Sequence, residues 1–280
     1  MHLSKLIFKH LVSRAQAALL ALATLSFLAG PSLAANDVKI EWLSWSFFRI
    51  TTPGGKVILT NPWYANRDSN ITLEDIPEAD IILVPAGHGD EVGNTLEIAA
   101  KTGATIFASH EVINQQWKEA GAGFRTPVKF EGTELKTRAV QPGSEFTIDG
   151  ITIRAVNAVH GNGRTGGPAM GFMITMENGY TIYFSGSTDV TLDMKLWGEM
   201  FQPDTALLAY SPAQRSADVA LMAKFLTEGN PNLTTVFAHH NRLDASAGNR
   251  LADLAAAMTE AGLSAALIDA QPGTVYSLSK

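Results

Sequence analysis

The stretch Ile81-Ile82-Leu83-Val84-Pro85-Ala86-Gly87-His88-Gly89-Asp90-Glu91 decides how the rest of the chain is read. Four consecutive apolar residues predict a strand buried on both faces, as in the interior of a sheet. Pro85 ends it, and Gly87 and Gly89 let the backbone that follows turn tightly. His88, Asp90 and Glu91 then stand just past the strand's carboxyl end, where α/β sheets build their sites. Imidazole and carboxylate together suit zinc, iron or manganese. The competing reading is a polar loop leading into a helix at Asn94, with Asp90 near that helix's positive end.

Upstream of this stretch, Val38–Trp42 alternates apolar and polar side chains, the period of a half-buried strand. Phe47–Ile50 and Lys56–Leu59 read as strands either side of the turn Pro53-Gly54-Gly55. Downstream, Asn94–Thr102 and Glu111–Ala120 read as helices around the strand Thr105–Ala108. Asp149-Gly150 and Asn178-Gly179 are strong hairpin signals, the first joining Glu145–Ile148 to Ile151–Val156 and the second joining Gly171–Met176 to Tyr180–Phe184. The last third alternates helix and strand: Asp193–Met200, Thr205–Ala209, Ala217–Thr227, Thr235–Ala238 and Asn249–Gly262, closed by strands near Ala265–Ile268 and Thr274–Leu278. This pattern predicts one α/β domain over residues 35–280, with two packed sheets and helices outside them.

The amino terminus carries a different signal. Lys5, Lys9 and Arg14 precede the uncharged run Ala15–Gly30, and Ser32-Leu33-Ala34 is a small-x-small cleavage site. This is the three-part pattern of a secretory signal peptide over residues 1–34. The apolar run falls short of the roughly 20 residues needed to span a bilayer. The expectation is export to a bacterial periplasm, with no membrane attachment after cleavage. A net charge of −6 argues against a nucleic-acid partner. The chain has no cysteine, which excludes disulfides, thiolate metal sites and a thiol nucleophile.

Beyond the leader, five histidines remain: His88, His110, His160, His239 and His240, each at or near a predicted strand end. His239 and His240 are neighbours on a strand, so alternation sends their side chains to opposite faces and only one of them can face the site. Gly161–Pro168 reads as a glycine-rich loop free to move over the site, and Trp42 as core. Ser109, Ser185 and Ser187 have no triad-like neighbours along the sequence.

Taken in order, several segments resemble the metallo-β-lactamase superfamily, in particular its branch of small metal-dependent hydrolases similar to L-ascorbate-6-phosphate lactonase. They are Trp42-Leu43-Ser44-Trp45-Ser46-Phe47-Phe48, Ile58-Leu59-Thr60-Asn61-Pro62-Trp63, Ala86–Glu91, His160, Tyr183–Thr188, Asp193–Leu196 and His240. The resemblance implies a four-layer αββα sandwich of two mixed sheets. It also implies two metals, one at the positions of Ala86, His88 and His160, the other at Asp90, Glu91 and His240, with Ser187 where the bridging carboxylate would stand. Alanine cannot ligate, and serine brings no charge to hold two cations together. Trp45 and Asn61 stand where the family has a histidine and an aspartate. The expectation is therefore a hydrolase with at most one divalent transition metal, held chiefly by Asp90 and His240 with help from Glu91. Asp90 and His160 would act on a small ester, lactone or phosphoester, and His88 and His160 would serve as further ligands, proton donors or oxyanion stabilisers. The alternative is a non-hydrolytic member of the fold that binds a small molecule or a protein.

Overall fold

A computed structural model describes residues 37–123, 125–240 and 251–280. The leader expected over residues 1–34 and the first two residues of the helix expected at Asn249 lie outside these. The first sheet starts with β1 (Val38–Ser44), β2 (Phe47–Thr51), β3 (Val57–Thr60), β4 (Ile81–Leu83) and β5 (Thr105–Ser109). A small hairpin, β6 (Lys129–Phe130) with β7 (Thr133–Glu134), precedes β8 (Lys136–Val140). The second sheet begins with the predicted hairpins, β9 (Glu145–Ile148) with β10 (Ile151–Asn157) and β11 (Met170–Thr175) with β12 (Thr181–Phe184). It continues through β13 (Thr205–Ala209), β14 (Thr235–His239) and β15 (Ala266–Ile268), and β16 (Val275–Leu278) returns to the first sheet.

Both sheets have seven strands, in the orders β16-β1-β2-β3-β4-β5-β8 and β15-β14-β13-β12-β11-β10-β9. Each is antiparallel in one half and parallel in the other. Pairing is antiparallel from β16 to β3 and parallel from β3 to β8. It is antiparallel from β9 to β12 and parallel from β12 to β15.

Side-chain alternation builds the layers. Ile81 and Leu83 of β4 enter the core between the sheets with Ile40, Phe48, Ile153, Phe172, Phe184, Leu207 and Phe237. Their neighbours Ile82 and Val84 point the other way, into a second core with Ile98 and Ala99. Those two lie on α2 (Thr95–Thr102), which follows the short α1 (Gly89–Val92). On the second sheet, Leu207 and Phe237 face inward while Ala206, Leu208, Val236 and Ala238 face a third core. There they meet Met194 and Trp197 of α3 (Asp193–Phe201), Val219 and Met222 of α4 (Ser216–Thr227) and Leu254 of α5 (Leu251–Glu260). Three cores separate four layers, the expected αββα sandwich. Each fully buried Ile, Leu or Phe contributes about 1.5–3 kcal/mol of transfer free energy. These runs are continuous in sequence because both faces of each central strand are covered.

One expected helix is different. Glu111–Ala120 contains only a single π-helical turn, Val112–Gln116. Ser109 Oγ accepts from the Val112 amide, and the Gln116 side chain donates to the Gly87 carbonyl. Both ends are thus tied to other segments, which holds the chain out of a regular helix. Among the described residues, no helix is long and apolar enough to cross a membrane.

Candidate metal centre and its cavity

The carboxyl ends of β4, β10, β12 and β14 meet with the β1–β2 turn around a cavity of about 610 Å³. That volume is within the usual range for small-molecule sites. Trp45, His88, Asp90, His160, Ser187 and His240 all line it. The backbone is unusually constrained here. Trp45, Asn61 and His240 have positive φ angles of 50°, 39° and 60°, a region that side-chain-bearing residues rarely occupy. Gly186 lies at φ 58°, and a Cβ there would sit 2.4 Å from the Met170 carbonyl oxygen and 2.8 Å from Pro85 Cβ. Only glycine allows this turn, which carries Ser187 into the cavity.

On one flank, His88 Nδ1 lies 3.1 Å from His160 Nε2 and 3.8 Å from Glu91 Oε2. Ligand atoms of these three residues all fall within 4.8 Å of one another. Tetrahedral ligands on bonds of about 2.1 Å stand roughly 3.4 Å apart, so the spacing is close to that of a closed site. Glu91 is fully buried on α1, yet among the described residues neither carboxylate oxygen has a hydrogen-bond partner. Burial raises its pKa to about 7, and Asp90 pushes the same way, while Ser187 opposes both. A buried carboxylate left without a donor is costly, and a cation held between it and two imidazoles would satisfy it. The residues present therefore fit one metal ion. His160 is held below its ordinary pKa, first by burial and then by His88, which favours the neutral form that ligates.

On the other flank, the Trp45 indole N–H donates to Asp90 Oδ2 at 2.9 Å, and His240 Nε2 lies 3.7 Å from the same oxygen. An indole nitrogen is a donor only, so it takes up one acceptor site of the Asp90 carboxylate. The structure thus brings Glu91 to His88 and His160 rather than to Asp90 and His240. Ala86 is buried and offers no ligand atom. The Asn61 side chain donates to Ser46 Oγ and does not line the cavity.

His239 and His240 depart from simple alternation. β14 ends at His239, and the left-handed backbone at His240 folds its ring back, so that the two Nδ1 atoms meet at 2.7 Å. His239 is fully buried and His240 nearly so. Burial holds both rings below their ordinary pKa, with Asp90 pulling His240 partly back. Ser187 Oγ lies 3.0 Å from His240 Nε2, and Ser185 Oγ 3.2 Å from His239 Nε2. Sequence reasoning missed this cluster because 53 positions separate Ser187 from His240. The signal that was available is Gly186, a glycine between two serines just after a strand.

His110 is exposed and does not line the cavity. Trp42 is core, as expected. The Gly161–Pro168 loop is sewn down: the Asn162 amide donates to the Gly166 and Gly167 carbonyls, its oxygen accepts from the Gly87 amide, and Ser109 Oγ donates to Gly166. It is a strap joined to the His88 segment, which corrects the expectation of a freely moving loop.

Residues 56–261 match the family described as the beta-lactamase superfamily domain. The chain belongs to the metallo-β-lactamase superfamily. A UPF0173 metal-dependent hydrolase of Thermodesulfovibrio yellowstonii is 35% identical over 193 residues, covering 64% of this chain and 70% of that protein. One from Methanosphaera stadtmanae is 30% identical over 200 residues, covering 68% and 80%. Among solved structures, Igni18, a metallo hydrolase of the archaeon Ignicoccus hospitalis, superposes with a TM-score of 0.72 at 22% identity, covering 87% of this chain and 99% of that one. An isothiocyanate hydrolase from Delia radicum gut bacteria superposes at 0.62 with 17% identity, covering 86% and 99%. These two likenesses establish the metallo-β-lactamase fold.

Proposed function

We propose that the protein is a hydrolase that works with one divalent transition metal, zinc, iron or manganese, and cleaves a small ester, lactone or phosphoester after export to the periplasm. The observation that carries this reading is Glu91, a buried carboxylate without a hydrogen-bond donor among the described residues, facing two imidazoles at near-ligand spacing. His88, Glu91 and His160 would hold the ion. Such an ion, when bound, supplies a Lewis acid for a carbonyl or phosphoryl oxygen and lowers the pKa of water. Asp90 presents a part-exposed carboxylate to the same cavity, fixed by Trp45, where it can accept a proton. His160, exposed at the mouth, contributes a neutral ring. The naming of relatives as metal-dependent hydrolases supports the same class of activity.

The test is elemental analysis of protein purified without chelator or nickel, paired with hydrolysis of p-nitrophenyl phosphoesters. One equivalent of metal, with hydrolysis lost on chelation and restored on reloading, is the expected result. Two equivalents would overturn the single-ion reading. No metal after reconstitution would favour the non-hydrolytic alternative.

A further inference from the structure

The opposite flank of the cavity holds a complete serine relay. We infer that Ser187 is a nucleophile, with His240 as its base and His239 as a positioning residue, and that this cluster acylates and deacylates on small uncharged carboxylic esters without a metal. The inference goes beyond the metal-dependent reading and stands apart from it.

Hydrogen-bond accounting assigns the protons. Ser185 Oγ–H donates to the Gly186 carbonyl at 2.7 Å, and the same oxygen accepts from the Ala209 amide at 3.0 Å. Ser185 thus has no proton left for His239, so His239 Nε2 must be the donor across their 3.2 Å contact. A neutral His239 protonated on Nε2 has a lone pair on Nδ1. The 2.7 Å contact then requires His240 to carry its proton on Nδ1. His240 Nε2 is left as an acceptor, and Ser187 Oγ–H donates to it at 3.0 Å. Glu91 approaches the same hydroxyl and its amide without reaching hydrogen-bond geometry.

This is the arrangement that an activated serine needs: nucleophile on base, base on orienting group. Ser187 and His240 both line the cavity, and His239 is buried behind them. In the reaction, Ser187 Oγ bonds to the ester carbonyl carbon and its proton passes to His240 Nε2. The bond to the alkoxide breaks, and that proton leaves with it as alcohol. Water then attacks the acyl-serine carbonyl and gives a proton to His240. Ser187 departs with that proton as the free hydroxyl, and the carboxylic acid is released. The preference for uncharged esters follows from the lining, where Asp90, Asp189 and Asp218 face the cavity and Arg215 is paired to Asp218.

The test uses chelator-treated full-length protein and a fluorophosphonate probe, read by intact mass and peptide mapping. One adduct per chain at Ser187 is expected, absent in Ser187→Ala and formed about 10²–10⁴-fold more slowly in His240→Ala. His239→Leu should slow labelling by roughly 10-fold or more, through loss of the orienting acceptor. His239→Asn, which keeps an acceptor near Nδ1, should restore it. No adduct at Ser187 in the parent, or equal labelling in His240→Ala, would overturn the inference. Should a histidine variant fail to fold, Ser187→Cys decides. The chain has no other cysteine, and iodoacetamide should alkylate the introduced thiol faster than free cysteine at the same pH; an equal rate would overturn it. Labelling is read without metal, so its failure and the failure of the metal reading are separate results.

Discussion

The two flanks of the cavity use the same residue types and solve opposite problems. His88, Glu91 and His160 converge on one another with lone pairs to offer, and the buried carboxylate has no donor. Ser185, His239, His240 and Ser187 alternate donors with acceptors until every contact is matched. The first flank is built around a positive charge that the polypeptide does not supply. The second is complete in itself. A buried polar group without a partner is more informative about a ligand than a cluster of ligand-type residues, because satisfied histidines need nothing further.

The largest expected effect separates the flanks by their need for a cation. Glu91→Ala should weaken metal binding by roughly 100-fold or more, since even outer-sphere partners are commonly worth 10–100-fold. Ser187→Ala should leave the affinity within about 10-fold, a loss of that outer-sphere size. Isothermal titration with zinc on chelator-treated protein measures both. Equal losses in the two variants would mean that the flanks share one ion and that the contrast between them is false.

A second effect has the opposite sign in the presence and absence of metal. At pH 8 the Glu91 carboxyl, with its pKa raised to about 7, is mainly ionised and buried without a partner. Glu91→Gln removes that charge and should stabilise the metal-free protein by about 1–3 kcal/mol. In a chain of this size that corresponds to roughly 2–4 °C in melting temperature per kcal/mol. With saturating metal the order should reverse, because only the parent gains binding free energy. Thermal melts of both proteins with and without zinc give the four values needed.

The fold was legible because the central strands are covered on both faces and so appear as apolar runs. Ile81–Val84 and Thr205–Ala209 announce themselves this way, and Asp149-Gly150 and Asn178-Gly179 mark the hairpins. The positions of His88, Asp90, Glu91, His160 and His240 were legible as strand ends. Their partners were not. Alternation along β14 predicts opposite faces for His239 and His240, but the strand stops between them and a left-handed residue turns the second ring back. That reversal depends on tertiary contact, since the His240 amide donates to the Trp45 carbonyl across the cavity. The Trp45 donor on Asp90, 45 positions away, is hidden from sequence for the same reason. The π-turn at Val112–Gln116 follows from side-chain ties at both ends, which helical periodicity does not reveal.

The smallest expected effect concerns the rim, where the flanks share a wall. Among the described residues Arg215 is the one arginine lining the cavity, and its guanidinium makes two hydrogen bonds to Asp218, at 2.8 and 2.6 Å. Its side chain is 79% exposed, so water and salt screen the pair. Breaking it should change stability by less than about 0.5 kcal/mol. The consequence for binding is distinct from that for stability. Asp218→Ala removes one of the three aspartates that line the cavity among the described residues and frees a cation to meet an anionic group. Competitive inhibition by small phosphates should therefore tighten by no more than about 5-fold, the equivalent of ~1 kcal/mol. Arg215→Ala should weaken it, and raised salt should shrink both changes. If Asp218→Ala leaves anion inhibition unaltered while the Glu91 and Ser187 variants behave as expected, selection among substrates lies with the two flanks alone.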